Sequence, residues 1–90
     1  MLKTYEYELD GIRSDGEFRT AAKAEAAAQR EIDRLYMEEG EFSEPEVHIV
    51  TFNENQEQVA RTYKGVFQPD TLFASRKSDR AEHFRQSDYI

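Results

Sequence analysis

The side chains of this sequence that titrate near neutral pH are two histidines, His48 and His83, which makes them the first candidates for acid–base or metal chemistry. Zinc sites and histidine-based catalysis need further ligands or a nucleophile at a recognisable spacing, and neither histidine has one. His48 falls within a predicted strand, where a histidine is usually a satisfied or exposed sheet residue. We therefore predict no catalytic residue and no metal ligand.

Other motifs that carry chemistry are incomplete. The chain has no cysteine, which excludes disulfides, zinc–thiolate sites, iron–sulfur clusters and thiol catalysis. Its serines lie in turn-like or capping contexts, and its four glycines are too scattered for a phosphate-binding loop. Asp10-Gly11 and Asp15-Gly16 are similar to the start of a calcium loop, but the other ligands are missing. The sequence predicts a protein that is not an enzyme and binds no cofactor; a small enzyme using His48 with nearby acids is a third hypothesis.

Glutamate is concentrated in the stretch MEEGEFSEPE (residues 37–46), which places five of them in nine positions. In one interpretation these side chains only solvate a helix end and its loop. In the other they bind a basic partner, because a field of carboxylates imitates the phosphates of a nucleic acid. Acids at a helix C-terminus are unfavourable against the helix dipole, which hints at another use. The predicted partner-binding residues are Glu38, Glu39, Glu41, Phe42, Glu44 and Glu46, with Glu6 and Glu8 from the first strand.

Two further features belong to this hypothesis. Phe42 and Tyr36 supply the apolar anchor that charge alone lacks. Glu54 and Glu57, in a predicted hairpin turn, are expected to extend the field of carboxylates.

The net charge of −7 is unevenly distributed along the chain. Residues 1–60 hold 15 acids and 6 bases, a balance of −9, whereas residues 61–90 hold 4 acids and 6 bases, a balance of +2. This balance argues against a chain that wraps nucleic acid with its whole surface, because phosphate contacts need clustered Lys and Arg. It allows an acidic face that is steered onto a basic partner.

The C-terminal segment supports an alternative function, a small nucleic-acid-binding module. Its bases are interleaved with Phe73 and Phe84, a combination that contacts nucleic acid by charge and stacking. Asp79, Glu82 and Asp88 nearly balance the bases, so a solvated helix with internal ion pairs is the competing interpretation. The residues predicted to contact nucleic acid are Arg76, Lys77, Arg80 and Arg85.

Periodicity predicts the elements that position these residues. Residues 3–11 alternate, as expected of a strand that buries one face, and carry Tyr5, Tyr7 and Leu9 on that face. Residues 20–40 predict a helix capped by Thr20 and Gly40. Its apolar stripe consists of Ala21, Ala24, Ala28, Ile32, Leu35 and Tyr36.

The remaining segments complete a sheet. Residues 46–53 are apolar on both faces, which is typical of a central strand. Residues 59–67 return as the last strand, with Val59, Tyr63 and Phe67 on one side and a bulge at Gly65. In the segment between the first strand and the helix, which is a short strand or a loop, the expected core contacts are Ile12 and Phe18.

These elements predict an α+β fold, a two-layer sandwich. An antiparallel sheet of three to four strands carries one main helix packed across it, followed by a short C-terminal helix or tail. We place the compact core at residues 1–68. The helical or partly ordered tail, residues 69–90, is expected to pack on the core or on a partner.

The size of the chain bounds its setting. Ninety residues make one domain with a small core, so we expect modest stability unless a partner or a second copy adds to it. The N-terminus is too charged for a signal peptide and no apolar run reaches the length of a membrane span, so we expect a cytoplasmic protein without membrane contact.

Compact, acidic, cysteine-free domains of this size are similar in character to phage-encoded anti-restriction and anti-CRISPR inhibitors. The likeness rests on size and charge and transfers no residue. It implies a non-enzymatic inhibitor that occupies the basic surface of a nucleic-acid-processing complex. Partners are then a basic protein surface and, as an open alternative, a homodimer; direct binding of nucleic acid is the less favoured hypothesis.

Overall fold

The computed structural model describes residues 2–70, which form one four-stranded antiparallel sheet and one helix. The strands are β1 (Thr4–Leu9), β2 (Ile12–Arg13), β3 (Glu46–Phe52) and β4 (Gln58–Val66), and the helix α1 is Ala21–Glu39. Their order across the sheet is β2-β1-β3-β4. The predicted α+β fold is confirmed. The predicted tail lies outside the described residues from position 71 onwards.

The alternation in β1 decides which side of the sheet the helix covers. Tyr7 and Leu9 pack against the core beneath α1, whereas the neighbouring glutamates face the other way. β3 lies between β1 and β4, and both of its faces are buried, with Val47 and Ile49 on one and Val50 on the other. Its two-sided apolar pattern therefore reports a central position, as predicted.

The helix begins and ends at the predicted residues. The Thr20 hydroxyl accepts a hydrogen bond from the backbone N–H of Lys23 at 3.1 Å. Gly40 ends the helix at φ 66°, a left-handed conformation that a residue with a side chain adopts only with strain. Between the caps, α1 buries mainly small residues against the sheet, namely Ala24, Ala27, Ala28 and Ile32.

Small helix residues let the backbone approach the sheet closely, and the one larger side chain that α1 buries fully, Ile32, lies in its C-terminal half. Ile32 is fully buried and joins Ala28 and Val47 in the main cluster of the core. Three partly buried side chains pack against this cluster, namely those of Tyr7, Leu9 and Phe67. This gradient from alanine to larger side chains follows the sequence of the helix, so its packing was predictable from composition.

Of the two core contacts predicted between the first strand and the helix, one is wrong. Ile12 is 75% exposed, because β2 is only two residues long and its residues extend past the edge of the helix layer. Phe18 does take the predicted role, since it bridges to Tyr5 and its ring stacks on that of Tyr7 with centroids 6.1 Å apart.

The predicted common face for Tyr63 and Phe67 is also wrong. His48 pairs with Tyr63 and Val47 pairs with Gly65, so Lys64 is an extra residue in β4. This bulge reverses the alternation: Tyr63 stays on the face away from the helix, whereas Phe67 packs into the main core cluster. The bulge itself, at Gly65 with φ 102°, was predicted.

After β4 the chain returns to the helix. The carbonyl of Gln68 accepts a 2.7 Å hydrogen bond from Gln29, and the backbone N–H of Asp70 donates to Asp33 at 2.8 Å. The described part of the chain therefore ends beside α1. No helix within residues 2–70 combines the length and apolarity needed to cross a lipid bilayer.

We predict that Thr20→Ala lowers the free energy of unfolding by about 1 kcal/mol, because the N–H of Lys23 loses its capping acceptor. Urea denaturation followed by circular dichroism measures the change. Thr20→Ser, which keeps the hydroxyl, is the control and should remain close to wild type. Equal destabilisation by both substitutions would show that the capping bond is not the cause.

Candidate functional site

The cluster of predicted glutamates lies at one end of the molecule, which we name the acidic end: Glu38, Glu39, Glu41, Phe42, Glu44 and Glu46. It is built from the last turn of α1, the loop 40–45 and the first residue of β3. The loop leaves the helix through a tight reversal in which Gly40 N–H donates to Tyr36 and Glu41 N–H donates to Leu35. The start of the loop is thus fixed by the helix itself.

The other end of this loop is fixed by the turn after β1. The carboxylate of Asp10 accepts a 2.8 Å hydrogen bond from the backbone N–H of Glu46, and its own N–H donates to the Glu46 carbonyl at 3.0 Å. Phe67 N–H also donates to the carbonyl of Pro45. A loop held at both ends loses less conformational entropy when a partner binds. Asp10 therefore has a structural role that its turn-like sequence only partly predicted.

An aromatic side chain stands at the acidic end. Phe42 is 53% exposed, and its ring meets that of Tyr36 edge to face at 6.2 Å between centroids. Met37, on the last turns of the helix, is 43% exposed. The predicted pairing of Phe42 with Tyr36 is thus present in the structure, as an apolar spot on a surface otherwise formed by carboxylates.

The carboxylates of the acidic end differ in their partners. Glu38 is bound by Arg34 at 2.8 Å, and Glu44 accepts from Gln68 at 2.9 Å. Within residues 2–70, no hydrogen bond or ion pair holds the side chains of Glu39, Glu41 and Glu46, all of which are exposed. Three carboxylates of the acidic end, those of Glu39, Glu41 and Glu46, are therefore open to solvent.

Arg34 connects the acidic end to the helix. Besides Glu38 it binds Glu31 at 2.6 Å, and these two hydrogen bonds raise the pKa of the Arg34 guanidinium. The same contact with Arg34 lowers the pKa of Glu31. Glu38 is therefore partly neutralised, whereas the glutamates beyond it are not.

Glu8 does not belong to this surface. It lies on the sheet face opposite α1, which we name the open face, and is only 5% exposed. Arg61 donates to it from Nε at 3.2 Å and from Nη2 at 3.1 Å, and Arg13 lies 3.7 Å away. Its charge is balanced by these arginines within the fold. Contrary to the prediction from sequence, Glu8 is therefore not available to a partner.

The same arginines cover apolar residues of the open face. Arg13 crosses the ring of Phe52 at 5.6 Å from its centroid and donates to Gln58 at 2.9 Å. Arg61 pairs with Val50 across the strands, and Val50 is fully buried although α1, the one helix within residues 2–70, lies on the other face of the sheet. This role was not predicted from the sequence, in which a glutamate beside an apolar central strand was the available signal.

The other predicted acids lie apart from the acidic end. Glu6 is half-buried in the middle of the open face, opposite Val50. Glu54 and Glu57 lie in the β3–β4 hairpin, at the far end of a seven-residue strand, roughly 20 Å from Glu46. The structure thus does not bring the hairpin glutamates into one field with the others.

His48 lies on the open face beside Tyr63, with ring centroids 5.1 Å apart. Its Nδ1 is buried and has no hydrogen-bond partner among the described residues. Within residues 2–70, no group of three or more histidine or acidic side chains converges as a metal site would require. His83 and the four bases of the alternative nucleic-acid site lie outside the described residues.

A second polar region is a cleft of about 430 Å³ between α1 and the β1–β2 turn. Burial raises the pKa of Tyr7 in this cleft, and the negative charges of Glu31 and Asp15 add to the effect. Ser14, also at the cleft, donates its hydroxyl proton to the carbonyl of Gly16 at 2.8 Å. That hydrogen bond ties the hydroxyl to the turn, so the cleft offers no activated nucleophile.

Comparison with known proteins gives no relative: no family model, no curated protein and no solved structure matches this chain.

A double-mutant cycle on the open face tests the buried carboxylate. We predict that Glu8→Gln and Arg61→Gln each destabilise the protein. Their coupling energy should be about 1 kcal/mol, because either substitution alone already removes the hydrogen-bonded ion pair. Urea denaturation of the four variants measures it. Glu6→Gln, on the same strand and face, should change stability by less than about 0.5 kcal/mol. Additive effects at Glu8 and Arg61 would contradict the assigned contact.

Tyr7 provides a test by pH. Its raised pKa means that the neutral phenol is favoured in the folded state, so this contribution to stability is present below the ordinary pKa of 10.0 and is lost as the pH rises through the folded value. We expect Glu31→Gln to lower the pKa of Tyr7, because a nearby negative charge is removed. Ring resonances followed by NMR across alkaline pH measure it. Glu25→Gln, which faces Lys64 instead, is the control and should leave Tyr7 unchanged.

Proposed function

We propose that this chain is a non-enzymatic protein-binding domain whose acidic end docks on a basic protein surface. The observation that carries the proposal is Phe42, a half-exposed aromatic ring held against Tyr36 and surrounded in sequence by glutamates. Glu39, Glu41 and Glu46 are exposed carboxylates on either side of it. An apolar centre with a charged rim is the usual composition of a protein interface.

The two components have different roles in binding. The carboxylates attract a basic surface over a long range and raise the association rate, but exposed charge pairs add little affinity. Phe42 supplies the area that is removed from water on docking, so it slows dissociation. The loop that carries it is already fixed by Asp10 and Pro45, which limits the entropy lost on binding.

The sharpest form of the proposal is an inhibitor of a nucleic-acid-processing complex in the cytoplasm, of the anti-restriction or anti-CRISPR kind. A groove that holds nucleic acid is lined with Lys and Arg, and the acidic end offers carboxylates where the groove expects phosphates. The net charge of −7 and the concentration of acids at one end support this form.

The alternative, a nucleic-acid-binding module, depends on Arg76, Lys77, Arg80 and Arg85. These residues lie outside the described part of the chain, and no feature of residues 2–70 favours it. The acidic end repels a phosphate backbone. This function remains a prediction from sequence.

Reversing the charge of the acidic end tests the proposed function. A variant with Glu38, Glu39, Glu41 and Glu44 replaced by Lys should lose its partner, because the approaching basic surface is now repelled. Tagged full-length protein is used for affinity capture from nuclease-treated bacterial lysate, and bound proteins are eluted with added DNA or RNA and identified by mass spectrometry. The proposal expects a nucleic-acid-processing protein that resists nuclease, is displaced by nucleic acid, and is absent with the variant.

A matched control carries the same four charge reversals elsewhere, at Asp15, Glu17, Glu54 and Glu57, which are all exposed. It should retain the partner if the acidic end is the binding surface. Phe42→Ala separates anchor from charge: it should weaken capture by roughly tenfold or more without changing net charge. Equal loss in the control variant would overturn the proposal. Capture that disappears with nuclease would also overturn it and would favour direct nucleic-acid binding.

A further inference from the structure

The outer strand β4 is long and exposed, and several of its side chains are apolar. It contains nine residues, of which only Gly65 is not exposed. Val59, Tyr63 and Val66 are each more than half exposed, and they make up three of the seven large exposed hydrophobic residues that the described part of the chain contains. An edge strand of this kind is a template for pairing with another strand.

The hydrogen bonds of the sheet show which backbone groups of β4 are free to pair. Asp10 N–H donates to the carbonyl of Glu46, so Glu46 and every second residue after it on β3 point towards β1. His48 and Val50 are two of these residues, and their partners on β4 are Tyr63 and Arg61. The N–H and C=O groups of Arg61 and Tyr63 therefore point outwards, away from the sheet.

The charges on β4 differ from those of the rest of the described chain. Its charged residues are Arg61 and Lys64, and it has no acid. Lys64 is paired with Glu25 of α1 at 3.3 Å, and Arg61 is paired with Glu8. Two copies of a chain of net charge −7 repel each other over most of their surface, and this edge is a place where they meet without facing carboxylates.

We propose that two copies of this chain pair through their β4 edges, antiparallel, about a two-fold axis beside Thr62. Arg61 and Tyr63 flank Thr62, so this register lets Arg61 of each copy exchange two backbone hydrogen bonds with Tyr63 of the other. The result is a continuous eight-stranded sheet with closed symmetry. Both side chains lie on the open face, so each guanidinium meets a tyrosine ring and no cation opposes a cation.

This self-complementarity is the reason for assigning a second copy rather than a foreign strand. The other edge of the sheet, β2, has only two residues and offers no comparable template. The register irregularities of β4 lie towards its two ends, and Ala60, Arg61, Thr62 and Tyr63 between them pair regularly with β3. The helix layer rests on β1 and β3, so it leaves the outer edge of β4 accessible.

Thr62 makes the register testable. It pairs with Ile49 and therefore faces the helix side of the sheet, where it is exposed. In the proposed dimer the two Thr62 residues face each other across the axis as a non-hydrogen-bonded pair, the closer of the two antiparallel arrangements. A charge placed there meets its own copy directly.

The experiment is sedimentation velocity of the full chain over roughly 1 µM to 1 mM, the range in which a small interface dimerises. Wild type should shift from monomer to dimer with concentration. Thr62→Arg and Thr62→Glu should each weaken dimerisation by roughly fivefold to tenfold, because like charges oppose each other. An equimolar mixture of the two variants should recover dimerisation as a heterodimer.

Ile12→Arg and Ile12→Glu, on the opposite edge, are the matched controls and should dimerise as wild type does. Circular dichroism shows that the variants remain folded. A wild type that stays monomeric throughout overturns the proposal, whether β4 is covered by the chain's own C-terminal segment or by a different protein. Dimers that persist in both Thr62 variants, or that the mixture fails to restore, also overturn it, since the interface then lies elsewhere.

Discussion

One constraint organises this small protein: within residues 2–70, a single helix has to stabilise a four-stranded sheet. α1 packs on β1 and β3, and it buries one face of the central strand with alanines and Ile32. β3 is apolar on both faces, so Val50 and Phe52 still need cover on the face opposite α1. Arg13 and Arg61 provide it by laying their long side chains over these residues, and Glu8 balances them. β4 lies beyond the reach of the helix layer, so α1 leaves its outer edge uncovered.

The same constraint explains which carboxylates remain open to solvent. A carboxylate within the sheet, such as that of Glu8, is needed to hold arginines and is withdrawn from solvent. Glu39, Glu41 and Glu46, in and beside the loop 40–45, have no such duty, since the loop is held by backbone bonds and by Asp10. Their number is therefore not required by the fold. These acids, which have no structural role and lie beside an exposed aromatic ring, are the residues that the proposed binding surface uses.

The sequence predicted those features that depend on local chemistry. Thr20, Gly40 and the alanine stripe specify α1 because capping and helical spacing are short-range effects, and the alternation of β1 specifies its buried face. Prediction from the sequence failed for features that depend on pairing between distant segments. The bulge at Lys64 moves Phe67 to the helix side, and no local signal gives the strand register. Glu8 looked like a surface acid because its partner, Arg61, lies 53 positions away. For the acidic end, composition alone located the residues, but only the structure identified how Asp10 and Tyr36 hold them.

The two proposed surfaces constrain each other geometrically. The acidic end lies where β3 begins and β4 ends, because Glu46 pairs with Val66. In an antiparallel β4 pair, that end of one copy lies beside the hairpin end of the other, so the two acidic ends point in opposite directions. They are then separated by the whole length of the paired strands, and both cannot enter one short basic groove. Such a dimer gains avidity only from a partner that presents two basic sites facing one another, or it bridges two partner molecules. Under the proposed function, a monomer occupies a single groove with one acidic end, so the oligomeric state decides whether the protein blocks a site or links two of them.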